Sequence, residues 1–150
     1  MRASGTTVET EKTRAGLEML QAGIIQAVGL TGAAAVADTV KAAKGTVLWR
    51  DRTGKTRDSI VGEWQGSSRR GFVRAGGASV FLENGTRAHE IWGRPMLRFV
   101  VNGTVMYRRM VKHPGTQPRP FMKEARAIGE RAAQFYGERF VSAAIRRARA

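Results

Sequence analysis

The 150-residue sequence has no cysteine, which excludes disulfides, thiolate metal sites and a cysteine nucleophile and makes the redox compartment immaterial to its folding. Histidine is nearly missing too, with His89 and His113 the only two. Each stands beside turn residues, and neither has a second histidine at helical spacing, so a metal centre lacks its ligands. A serine triad would need one of the same two histidines as its base, and no Gly-x-Ser-x-Gly elbow surrounds Ser59 or Ser67-Ser68. Gly54-Lys55-Thr56 carries the last three letters of a phosphate-binding loop, but Trp49 occupies the position of its first glycine. Acids are scarce, 12 against 26 basic residues. Asp51, Asp58, Glu63, Glu83 and Glu90 sit among thirteen cations between residues 46 and 118, where ion pairing is their default role. The 18 glycines and 4 prolines follow no Gly-X-Y period, which excludes a collagen helix. No enzyme, metal or cofactor is expected from this inventory.

What the chain does have is positive charge. Its formal net charge is +14, and 20 of the 26 cations are arginine. Residues 1–45 hold five basic and four acidic residues, residues 46–118 thirteen and five, and residues 119–150 eight and three. The excess therefore lies in the middle and at the end. Arginine's planar fork suits carboxylates and phosphates, so nucleic acid, acidic protein surfaces and anionic lipid are the partner classes this balance favours. No helix-turn-helix, zinc finger or aromatic strand motif accompanies it, and Trp49, Trp64, Trp92, Phe72 and Phe99 are scattered through β-prone segments as core aromatics are. A hydrophobic fraction of 42% and a charged fraction of 25% are those of one ordinary globular domain.

Met19 to Ala37 carries no charge and raises the question of a signal peptide or membrane helix. The preceding flank is acidic at Glu9, Glu11 and Glu18, and Gln21, Gln26, Thr31 and three glycines dilute the stretch. Leu17, Leu20, Ile24 and Val28 recur at helical spacing, which predicts a soluble amphipathic helix and no membrane partner.

Residues 1–12 read as a flexible N-terminus, and residues 13–45 as helical. A kink is expected near Gly29 and Gly32, with Gly45 as C-cap. Residues 46–112 read as short strands and turns, with Thr46–Trp49 β-prone, Ser59–Trp64 returning through Phe72–Arg74, and an apolar run from Ala78 to Glu83. Met96–Val101 and Thr104–Met110 flank Asn102-Gly103, the pair preferred in a type I′ hairpin because both residues take positive φ. Along the second run Val105, Tyr107, Arg109 and Val111 share one face, and Met106, Arg108 and Met110 the other. His113-Pro114-Gly115-Thr116 fits a type II turn, and Pro120 suits the first turn of a C-terminal helix over residues 119–148. The class expected is α+β, an antiparallel sheet of short strands flanked by a long N-terminal and a long C-terminal helix.

Three segments in order resemble a known family. Thr53-Gly54-Lys55-Thr56-Arg57-Asp58-Ser59-Ile60 is similar to the TG-x-L-R-x-S-I element of the neck and tail-completion (head–tail joining, minor tail protein Z-like) proteins of long-tailed bacteriophages. Val80-Phe81-Leu82-Glu83-Asn84-Gly85-Thr86, with His89 following, is similar to their Y-V-E-x-G-T…H element. His113-Pro114-Gly115-Thr116 through Pro120-Phe121 to Ala125 is similar to their HPGT-x-x-x-PF-x-x-A element. Thr56 stands where the family usually has leucine and Phe81 where tyrosine is common, and the stretch around Trp92 and Pro95 lies outside the pattern.

The resemblance implies a non-enzymatic virion protein of the neck or tail region, made in the host bacterial cytoplasm. It would form a homo-oligomeric ring, a hexamer by expectation, between the head connector and the tail-terminator or tail-tube proteins, with genomic DNA passing its arginine-rich surface. Asp58, Glu63, Glu83 and Glu90 are then the acids available to arginines of a neighbouring copy. The alternative is a basic nucleic-acid-binding module acting as a monomer or dimer.

Overall fold

The computed structural model describes residues 4–149, with side chains from residue 9, and its longest element is one helix, α1 (Ser4–Gly45), of 42 residues or about 63 Å. The helix begins well before Thr13 and passes through Gly29 and Gly32. Of the segment expected to be flexible, only residues 1–3 lie outside the described residues. Helix formers such as Glu9, Glu11 and Lys12 extend it, and Arg14 donates to Glu18 one turn later at 3.0 Å. Gly32 is a packing site, because a Cβ there would enter the ring of Trp64.

The face that α1 buries is not the one marked by its large residues. Leu17 is 61% exposed and Ile24 38%. A row of small residues at every fourth position is covered instead. Gly23, Thr31 and Thr39 meet Ala144, Gly137 and Gly129 of helix α4 (Phe121–Arg149), while Ala27 and Ala35 between them and Ala43 beyond them are buried. The order of these meetings makes the two helices antiparallel. Small side chains let the backbones approach, as when i±4 ridges interlock. Tyr136 of α4 donates its hydroxyl to Asp38 Oδ2 of α1 at 3.2 Å, and that bond to a carboxylate raises the tyrosine pKa above its ordinary value.

Between the long helices come two separate two-stranded antiparallel sheets, so the chain is α+β with its strands divided. The first pairs β1 (Val61–Gln65) with β2 (Arg70–Arg74) and packs on α1, where Val36 and Val40 fill the space beside Gly62. The second pairs β3 (His89–Val101) with β4 (Thr104–His113) through Asn102 (φ 49°) and Gly103 (φ 81°), the positive-φ pair a type I′ turn requires. It extends beyond Met96–Met110 at both ends. Gly93, Arg94, Pro95 and Met96 oppose Arg109 alone, so the stretch outside the family pattern is a wide bulge, and Pro95 has no N–H to give a ladder.

Two segments differ from the sequence expectation. Thr46–Trp49 forms no strand, because the guanidinium of Arg57 (a residue of the short helix α2, Lys55–Asp58) donates to the carbonyls of Thr46 at 2.8 Å and Trp49 at 3.4 Å. The same guanidinium lies 4.7 Å over the Trp49 ring. The apolar run after Ala78 is the helix α3 (Ser79–Asn84), which turns Leu82 toward the core and leaves Val80 and Phe81 outside. The core joins Ala43, Trp49, Ile60, Phe121 and Ala125, with Trp49 and Phe121 edge to face at 5.4 Å.

Candidate functional site

The three family-like segments converge on this core. Ile60 from the first is fully buried, Leu82 from the second packs against it, and Phe121 and Ala125 from the third complete it. Each segment is tied down locally before it arrives. In the first, Asp51 is the organiser. Its carboxylate accepts from the backbone N–H of Gly54 at 2.9 Å and of Arg57 at 2.8 Å, which holds its pKa below the usual carboxylate value, the Arg57 bond foremost. Gly54 sits at φ 76° and its carbonyl accepts the Asp58 N–H at 2.9 Å, while the Asp58 side chain is exposed on α2. Ser59 donates to the Thr56 carbonyl at 2.7 Å and accepts from the Gly76 N–H at 3.0 Å, clamping the segment to the loop after β2.

The second and third segments are joined to each other. Thr86 and Thr116 exchange both backbone hydrogen bonds at 3.0 and 3.1 Å, and their hydroxyls lie 3.1 Å apart. Gly85 (φ 70°) and Gly115 (φ 89°) flank this crossing. A Cβ on either would fall inside contact distance of the opposing threonine's carbonyl, so only glycine lets the two chains pass. Glu83 caps α4, its two carboxylate oxygens accepting from the backbone N–H groups of Met122 at 2.9 Å and Lys123 at 3.1 Å. The Arg119 N–H donates to the Leu82 carbonyl at 2.7 Å, so Pro120 and Phe121 enter the helix along α3. The type II turn expected at His113–Thr116 does not close, because the Thr116 N–H is taken by Thr86; Pro114 lies exposed, and the Gly115 N–H donates to His113 Nδ1 at 3.1 Å. The His89 ring stands 5.0 Å from that of His113, across the base of the β3–β4 hairpin. No cluster of metal-ligating side chains forms among the described residues.

This arrangement is mechanical. It fixes the base of a long hairpin to the N-terminus of a long helix and to the core beneath both. Two acids offered as partners for a neighbouring copy are engaged within the chain, Glu83 as the α4 cap and Glu63 in an ion pair with Arg74 at 2.8 Å. Ion pairing, the default role for Asp51 and Glu83 in the sequence, is not what they do: both accept from backbone N–H groups instead. An aspartate three residues before Gly54 is a turn-capping signal, whereas nothing local shows that Glu83 will meet a helix some forty residues later.

Two surfaces extend from the junction. The β3–β4 hairpin carries Arg94, Arg98, Arg108, Arg109 and Lys112 against Glu90 alone, with Val100, Val105 and Tyr107 exposed on one face. A groove of about 910 Å³ opens over α1 between α4 and the β1–β2 sheet. Compared with protein-family models, curated proteins and solved structures, the chain matches none.

Proposed function

We propose that this chain is a structural virion protein of a tailed bacteriophage, a neck or tail-completion component that joins the head connector to the tail as a homo-oligomeric ring around the DNA path. The observation that carries the reading is the convergence of the three family-like segments, distant in sequence, on one buried junction. Residues that recur together in a motif have a physical reason to do so when they build one joint. Here Ile60, Glu83, Gly85, Thr86, Gly115, Thr116 and Phe121 each hold a part of it. The mechanism is geometric. The junction sets the angle between hairpin and helix pair, copies of the chain repeat that angle around an axis, and arginine-rich surfaces meet acidic neighbours or the passing DNA. The partners are other copies of the chain, six by expectation, the head connector, and the tail-terminator or tail-tube protein.

The experiment is removal of the gene from its phage. Full heads and finished tails that stay apart, and that join when the protein is supplied, support the reading. Normal joined particles without it refute the reading.

A monomeric or dimeric nucleic-acid module is favoured by the basic hairpin, with five cations to one acid. The surface of the isolated chain weighs against the monomeric form of that alternative. It exposes 11899 Å², whereas a compact monomer of 16.4 kDa exposes about 7,500 Å².

A further inference from the structure

Apolar surface is left uncovered on α1 at Leu17 and Ile24, and half-buried Val28, one turn on, lines the groove, whose floor includes Gly32 and Ala35 and whose walls include Trp64, Phe72 and Val141. Farther along α1 the β1–β2 sheet covers the neighbouring face, at Gly32, Val36 and Val40. The charged residues lining the groove are two acids, Glu83 and Glu130, and two bases, Lys123 and Arg126, so it is balanced in a chain of net charge +14. It is where a cationic element of another copy meets little repulsion.

The hairpin is the complementary half. It joins the rest of the chain through the threonine crossing at its base and packs little against it beyond that. Its ladder leaves Val100 (58% exposed), Val105 (41%) and Tyr107 (53%) together on one face, flanked by Arg98 and Arg109. The excess of exposed area over a compact monomer is about 4,400 Å². A standard interface takes about 800 Å² from each partner, and a subunit in a ring has two neighbours to satisfy.

We propose that the groove between α4 and the β1–β2 sheet receives the β3–β4 hairpin of a second copy of this chain. The contact is head-to-tail, since groove and hairpin are different surfaces, and a head-to-tail contact that closes by rotation makes a ring. It rests on the ring reading above and names the surfaces that would build it.

The absence of native cysteine makes the test unambiguous. Val105→Cys or Tyr107→Cys on the hairpin is combined with Ala133→Cys or Val141→Cys in the groove, and concentrated protein is mildly oxidised. A ladder of disulfide-linked oligomers is expected on a non-reducing gel, and none when the groove cysteine is replaced by Ser142→Cys on the opposite side of α4. In a separate variant, Val105→Asp with Tyr107→Asp should keep the circular dichroism of the parent chain and lose self-association in sedimentation. Rings in native mass spectrometry without a ladder from any of the four pairs overturn this contact and leave the ring reading standing. A chain that remains monomeric at hundreds of micromolar, with no ladder, overturns the contact and leaves the phage-joint reading to particle imaging.

Discussion

Glu83 bonds the two free N–H groups of Met122 and Lys123 at the start of α4, and Asp51 does the same for the loop that leads into α2. Glu83→Ala removes a cap from the helix that carries half of the helix pair, and should lower stability by about 1 kcal/mol, read as a reduced urea midpoint with an unchanged slope. Glu83→Gln should recover part of that loss by keeping one acceptor oxygen. Asp51 brings a pH signature. Its carboxyl is held below the ordinary value of 3.8 by backbone N–H groups, so the charged form is favoured by folding. The stability it adds is present above the unfolded-state pKa and disappears as the pH falls through the lower folded-state value. The difference in urea midpoint between the parent chain and Asp51→Ala should therefore be full at pH 7, shrink below about pH 4 and vanish in stronger acid. A difference that persists unchanged at pH 2 would show that Asp51 acts through packing. At this scale the sequence was partly legible. Ile60, Gly85, Gly115 and Phe121 could be named because burial and positive φ follow from residue type, whereas the Glu83 cap depends on a tertiary meeting.

Among the elements, the β3–β4 hairpin was the most legible, because Asn102-Gly103 fixes its turn and alternation fixes its faces. Gly103→Val places a β-branched residue at φ 81° with open space around it, so strain in the backbone is the whole cost, about 1–3 kcal/mol. The hairpin packs little on the rest of the chain, and the damage should stay local. Amides of the 97–108 ladder should lose hydrogen-exchange protection while the global denaturant midpoint moves little. Helix α1 was the least legible. Its large apolar residues Leu17, Leu20, Ile24 and Val28 mark one face, yet the buried face is the small-residue row, and hydrophobicity cannot reveal a contact made by close backbones. Gly129→Ala tests that contact by its sign. Alanine is the better helix former by about 1 kcal/mol, but its Cβ would strike Thr39 Oγ1, which donates to the Ala35 carbonyl at 2.7 Å. The melting temperature should fall by a few degrees. A rise would mean that the helices are not in close contact there.

For the whole molecule, the dominant facts are a surface of 11899 Å² on a 16.4 kDa chain, large apolar side chains left outside, and a net charge of +14. A compact monomer has no use for the first two, and the third opposes assembly unless apolar contacts or an anionic partner offset it. The α+β class was legible because long helical spacing, then turns and β-prone runs, then helical spacing again is a strong ordering signal. Both hairpins were legible, since each pairs neighbouring strands, but that they stay apart instead of joining in one sheet was not, because whether distant strands pair has no local signature. Helix α1 also has the length and apolar content of a membrane span, from Glu9 to Gly45, yet α4 laid along it carries seven cations and three acids, which suit water. The central claim is that copies of this chain form a ring at the joint of a phage particle. Cryo-electron microscopy of purified virions tests it most directly. The account predicts symmetric density at the head–tail joint into which the α1–α4 pair and its hairpin fit, with several copies around the DNA path. Particles that lack the protein, or that hold it as single copies along the packaged DNA, would contradict it.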